Sequence, residues 1–217
     1  KYNFDHSYSY LNASLGFNYR FRYNTAALYG RATLGHKAPE MDFYVQNFVN
    51  QPVERGSVEQ IKQVELGYRF DENTLTFSFT GFYSSLENIL FQVFIPSGTS
   101  TIFTPPTFNS SQTLGAELEL VYIPIRKLYL RLNTTVQEAR FKKFTYYNTN
   151  GTTTPQGPTV STAPLLNPLD DDFLESFDNN KVNDIPSVFG DVNVSYELGK
   201  IKPFVNFQYV GQRYANR

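Results

Sequence analysis

The feature that most limits what this chain can become is a strict two-residue period. In residues 11–21, Leu11, Ala13, Leu15, Phe17, Tyr19 and Phe21 interleave with Asn12, Ser14, Gly16, Asn18 and Arg20. Successive side chains of a strand take opposite faces, so such a run specifies a strand with one greasy and one wet side. The same alternation recurs in segments 63–70, 75–80, 114–122, 128–136, 188–196 and 203–209, and less cleanly in 26–35. Eight strands are expected. Tyr and Phe together make up 17% of the residues, with one Met and no Trp, a composition that favours strands over helices.

The links between these segments alternate in length. Residues 22–24, 71–74, 123–127 and 198–200 make short links, and residues 36–59, 87–112 and 140–186 make long ones. A β-sandwich spreads loop length over both ends, whereas an outer-membrane barrel has short turns on the periplasmic side and long loops outside. The four strands that run into short links end their apolar faces on Phe21, Phe70, Tyr122 and Tyr196, as an aromatic girdle at a membrane interface requires. No run approaches the roughly 18 apolar residues of a spanning helix, and a mean hydropathy of −0.38 is compatible with a barrel that hides its apolar surface by alternation. The fold class expected is therefore all-β, a transmembrane antiparallel up-and-down barrel. With no Cys there is neither a disulfide framework nor a thiolate metal site, and a net charge of −1 gives no nucleic-acid footprint.

Several stretches carry a family resemblance. The run Leu28-Tyr29-Gly30-Arg31-Ala32-Thr33-Leu34-Gly35-His36-Lys37-Ala38-Pro39 resembles the strand-to-loop passage of TonB-dependent receptors. Glu65-Leu66-Gly67-Tyr68-Arg69-Phe70 resembles the following strand, and Gly115-Ala116-Glu117-Leu118-Glu119 a Gly-x-Glu-x-Glu strand further on. Ile185-Pro186 and Tyr209-Val210-Gly211-Gln212-Arg213-Tyr214 resemble the approach to the last strands, and all these elements stand in the family order. The resemblance implies that residues 1–217 are the C-terminal portion of a barrel of about 22 strands, without its plug domain or earlier strands. It implies a multi-pass protein of the bacterial outer membrane that imports a scarce ligand, of the ferric siderophore, haem, cobalamin or oligosaccharide class. The partners implied are outer-membrane lipid, the receptor's own N-terminal plug, TonB with its inner-membrane energising complex, and a small-molecule or metal-chelate ligand.

Chemistry on the ligand is not expected. The only histidines are His6 and His36, and no acid, base and nucleophile converge, so no enzyme, cofactor or metal site is assigned. His36 is expected to be a solvated residue at a strand end. Asp170, Asp171, Asp172, Glu175 and Asp178 lie in the longest link without the spacing of a calcium loop. Charges of one parity, Arg20, Arg31, Glu65, Arg69, Glu117, Glu119 and Arg131, are candidates to face the lumen or plug, because charge on the lipid side is costly. The candidate ligand contacts are loop aromatics: Phe43, Tyr44, Phe91, Phe94, Tyr146 and Tyr147. The rival readings are a small self-contained outer-membrane barrel with a structural or adhesion role, a passive porin, and a soluble carbohydrate-binding sandwich.

Overall fold

The computed structural model describes residues 7–39, 57–91, 94–97, 100–103, 106–147 and 174–214. The strands are β1 (Ala13–Phe21), β2 (Ala26–Lys37), β3 (Glu59–Glu72), β4 (Leu75–Phe91), β5 (Phe94–Ser97), β6 (Ser100–Phe103), β7 (Thr107–Tyr122), β8 (Leu128–Lys143), β9 (Thr145–Tyr147), β10 (Leu174–Ser176), β11 (Val188–Tyr196) and β12 (Phe204–Val210). Eight of them form one antiparallel sheet in the order β1-β2-β3-β4-β7-β8-β11-β12. Each long strand pairs with the one before and after it in the chain, so the sheet is an up-and-down meander. It is open, with β1 and β12 as its edges. Two small hairpins, β5-β6 and β9-β10, rise from the long links.

Register decides which residues share a face, because directly opposed residues in an antiparallel pair point the same way. One row runs Phe17↔Gly30↔Leu66↔Gly81↔Ala116↔Val136↔Val188 across seven strands. A second runs Tyr19↔Leu28↔Tyr68↔Phe79↔Leu118. On the other side, Arg20↔Ala27↔Arg69↔Ser78↔Glu119↔Asn133↔Asp191↔Gln208 crosses all eight strands. One face of the sheet is thus apolar and the other polar along its whole width.

The energetics are not those of a soluble sandwich. Among the described residues only Ala26, Phe70 and Ala139 are buried hydrophobics, while Leu15, Phe17, Leu66, Leu114, Val136 and Phe207 are each more than half exposed. A continuous apolar surface of this size demands a cover. At its short-link end the apolar face carries a chain of ring contacts, Tyr19–Phe21, Phe21–Tyr68, Tyr68–Phe77 and Phe70–Phe77, with centroids 5.6–6.2 Å apart. Phe21 and Phe70, two of the four aromatics that end the apolar faces at short links, belong to this chain of rings, and the Arg22 guanidinium lies 5.4 Å from the Phe70 ring centroid.

Strands at the long-link end differ from expectation. β3 starts four residues earlier than the alternation indicated, β4 runs on to Phe91, β7 begins at Thr107 and β8 continues to Lys143. The long links are correspondingly shorter, and parts of what remains are strands β5, β6, β9 and β10. The pattern fails there for a physical reason: in place of an alternating apolar face these strand ends carry polar side chains, of which Ser85, Thr107 and Asn109 are buried, so no two-residue period marks them. The register also slips between Leu86 and Ile89, where Asn88 takes a φ of 61° and donates through Nδ2 to the carbonyl of Val58 at 3.0 Å.

Candidate functional site: a charged polar face and an aromatic rim

The seven candidate polar-face charges all lie on one side of the sheet, but not in one cluster. Arg31 and Glu65 are direct cross-strand partners, joined at 2.8 Å (Nε–Oε1) and 3.4 Å (Nη2–Oε2). With Arg31 about half exposed this pair contributes at most about 1 kcal/mol, and its main effect is to orient the guanidinium. Arg69 lines, together with Asn18, Arg20, Tyr29 and Asp71, a recess of about 440 Å³. Glu119 accepts a hydrogen bond from Ser78 Oγ at 3.3 Å, and Glu117 stands opposite Thr80. Arg131 lies across from Val121 and Asn193 and lines a second recess of about 360 Å³ with Tyr129, Ser195 and Lys202. Arginines thus dominate β1–β3, and the carboxylates of Glu117, Glu119 and Asp191 dominate β7–β11. The Asp191 carboxylate accepts from Asn133 Nδ2 at 3.2 Å and 3.3 Å.

Sequence reading missed a contact that ties three strands together on this face. The ring of Tyr29 on β2 lies over Gly67 on β3, and its hydroxyl bonds to Thr80 Oγ1 on β4 at 2.5 Å. A Cβ at Gly67 would fall 2.2 Å from Tyr29 Cζ, so any side chain there lifts the ring away. Phe82 covers Gly115 in the same manner one strand pair along. The signal was a Tyr and a Gly at polar parity on neighbouring strands, which only the register turns into a contact. Gly67→Ala is expected to destabilise the protein by about 1–3 kcal/mol through overpacking and loss of the hydroxyl bond. In a Tyr29→Ala background the same change should be almost silent, and thermal melting of the four proteins measures the coupling.

Of the loop aromatics, Phe43 and Tyr44 lie outside the described residues. Phe91 ends β4 and packs edge-on against Phe144 at 5.3 Å, and Phe144 in turn meets Phe141 at 4.3 Å. Phe91 is therefore part of an aromatic cluster at the rim. Phe94 opens β5, while Tyr146 and Tyr147 lie in β9, whose backbone pairs with Glu175 and Leu174 of β10. His36 is half-buried rather than fully solvated. Its amide donates to Asn12 Oδ1 at 2.7 Å, its Nε2 lies 2.6 Å from Gln60 Nε2, and its ring faces Tyr10. In the acidic link, Asp178 accepts from the Phe144 amide at 3.0 Å and Asp170–Asp172 lie outside the described residues.

Beneath this rim the buried side chain of Asn109 substitutes for a strand rung. Its Oδ1 accepts from the Thr145 amide at 2.8 Å and its Nδ2 donates to the Thr145 carbonyl at 3.1 Å. Thr107 Oγ1 donates to the same carbonyl at 2.7 Å. Asn109→Ala should leave the Thr145 amide without its buried partner, at a local cost of about 1–3 kcal/mol. Amide hydrogen exchange should quicken at Thr145 and stay unchanged in the centre of β7.

An open antiparallel meander with an apolar and a polar face, short links at one end and hairpin-bearing links at the other, is a section of a transmembrane β-barrel wall. The chain belongs to the TonB dependent receptor-like β-barrel family, whose model matches residues 1–217. That family is a class of transporters of the bacterial outer membrane. No curated protein sequence matches the chain. Similar solved structures include the copper transporter OprC (TM-score 0.64, 12% identity, 94% of this chain and 28% of that one). The ferric yersiniabactin uptake receptor FyuA from Yersinia pestis aligns with a TM-score of 0.60 and 16% identity over 94% of this chain and 26% of that one. The FrpB iron transporter from Neisseria meningitidis (F3-3 variant) aligns with a TM-score of 0.56 and 13% identity over 91% and 26%. At these identities the likeness is one of fold, and the chain spans about a quarter of the length of each.

Proposed function

We propose that this chain forms the C-terminal portion of the barrel of a TonB-dependent receptor that imports a scarce ligand across the outer membrane. The observation that carries the reading is the separation of faces, which holds in register over all eight strands of the main sheet. The apolar face meets lipid. The polar face, with Arg31, Glu65, Arg69, Glu117, Glu119 and Arg131, meets the receptor's own plug and the hydrated path beside it. The long links lie outside the cell, where Phe43, Tyr44, Phe91, Phe94, Tyr146 and Tyr147 are the candidate ligand contacts. Force supplied through TonB and its inner-membrane complex then moves the plug and releases the ligand inward.

The ligand class runs from ferric siderophores and haem to cobalamin and oligosaccharides. The similar structures are named for copper, ferric yersiniabactin and iron transport, which favours a metal or metal chelate. A small self-contained barrel would pair its first and last strands, and here β1 and β12 are both edges. The test is uptake of radiolabelled copper, iron chelates and haem by cells carrying the intact receptor, with and without functional TonB. Accumulation of one of them is expected only with TonB. Accumulation that persists without it would make the protein a passive porin.

A further inference from the structure

The apolar face does not stay apolar to the end of the strands. The row of cross-strand partners Val64↔Tyr83↔Leu114 is its last greasy one on β3, β4 and β7. The next row on the same face is Lys62↔Ser85↔Gln112↔Arg140, and Arg140 is bridged through its backbone to Lys181. Lys142, placed beside the register slip of β7 and β8, reaches back over the row with Nζ 3.5 Å from Ser85 Oγ. Four cations therefore stand at one level on this face, with the carboxylates of Glu138, the cross-strand partner of Leu114, and Glu87 as their neighbours.

Their depth matches a headgroup layer. From Leu75, at the short-link end of β4, to Ser85 is ten residues, about 34 Å along a strand. At a barrel tilt of about 40° this is about 26 Å along the membrane normal, against an apolar band about 25 Å tall. The carboxylates nearby do not cancel the charge. Lys62 pairs with Glu87 at 3.2 Å and Arg140 with Glu138, both through exposed contacts that a competing anion can replace. Lys142 rests on a neutral hydroxyl, and Lys181 donates to the Tyr214 hydroxyl at 2.8 Å with its ammonium 4.5 Å from that ring's centroid.

We propose that Lys62, Arg140, Lys142 and Lys181 form a binding site for the phosphate groups of an outer-leaflet glycolipid, seated on the outside of the barrel wall. The proposal rests on the reading that the long links face outward. Continuity with the apolar band selects a lipid over a free anion: acyl chains lie against Leu114, Tyr83 and Val64 while the phosphate meets the cations directly above them. The Tyr83 hydroxyl, which donates to Gln112 Oε1 at 3.3 Å, marks the boundary between the two.

The intact receptor in detergent, stripped of lipid and titrated with bisphosphorylated lipid A, tests this by native mass spectrometry. The wild-type protein should bind it, and Lys62→Gln/Arg140→Gln/Lys142→Gln should bind at least about tenfold more weakly, because each cation near an anionic surface contributes. Dephosphorylated lipid A should bind wild type as weakly as the variant binds the bisphosphorylated form. Equal binding by wild type and variant overturns the site. Displacement by millimolar inorganic phosphate, or equal affinity for phosphatidylglycerol, overturns the assignment to an outer-leaflet glycolipid. Orientation is read separately, by labelling a Cys placed at Asn150 in intact cells. Labelling only after the outer membrane is opened refutes the outward reading, whatever the titration gives.

Discussion

Val192→Arg should lower the stability of the intact receptor in lipid vesicles by about 2–4 kcal/mol, the cost of a cation on the lipid face at mid-membrane. Val192 lies opposite Leu132 on one side and Phe207 on the other, four residues from the girdle position of Tyr196. Those residues span about 14 Å of strand, or about 10 Å of depth after tilt, close to the middle of the apolar band. Asn193→Arg points into the polar face. It places a second guanidinium across from Arg131, and like charges in that position cost less than about 1 kcal/mol. Chemical unfolding of the two variants from vesicles compares them. Equal destabilisation would show that the facing of β11 is wrong.

The second large effect concerns uptake. Removal of residues 151–170 should leave membrane insertion and heat resistance almost unchanged while abolishing most ligand accumulation. The reason lies at the ends of the segment: Tyr147 and Leu174 are backbone partners in the β9-β10 hairpin, so the chain leaves and returns at one point. Shortening the connection from roughly 26 residues to roughly six makes closure easier by about 1 kcal/mol and removes no residue of the strands described. Replacing Tyr146 and Tyr147 by Ala tests the narrower idea that the rings grip the ligand, with about 1 kcal/mol or more of binding lost per ring. Failure of the deletion variant to assemble would mean that the link is part of the scaffold.

How far the sequence could be read follows from where the solvent changes. Where one face is apolar and the other polar, the alternation through Phe17, Leu66, Leu118 and Val192 placed the strands, the residues that share each face and all four short links. Beyond Lys62, Ser85 and Arg140 the alternating apolar row gives way to polar side chains, some of them buried, such as Thr107 and Asn109, so no two-residue period in 84–91 or 137–143 announced that β4 and β8 continue. Parity alone put Arg31 and Glu65 on one face, but only register shows that they are partners. The Tyr29–Gly67–Thr80 contact needed the register of three strands at once. The aromatic cluster of Phe91, Phe141 and Phe144 depends on two strand ends far apart in the chain, which no local pattern encodes.

The amide of Asn109 does for Thr145 what main chain does elsewhere in the sheet, and this has a consequence for how such a protein can change. A backbone ladder forms with almost any sequence, so the boundary between wall and loop would drift whenever the loop was rewritten. Here a single buried side chain sets that boundary from the wall side, through contacts to Thr145 main-chain atoms. What is built beyond Tyr147 can be exchanged for a segment of another length or chemistry and still start from the same place. The wall works as a socket, and new specificities can be fitted to it without refolding the part that crosses the membrane.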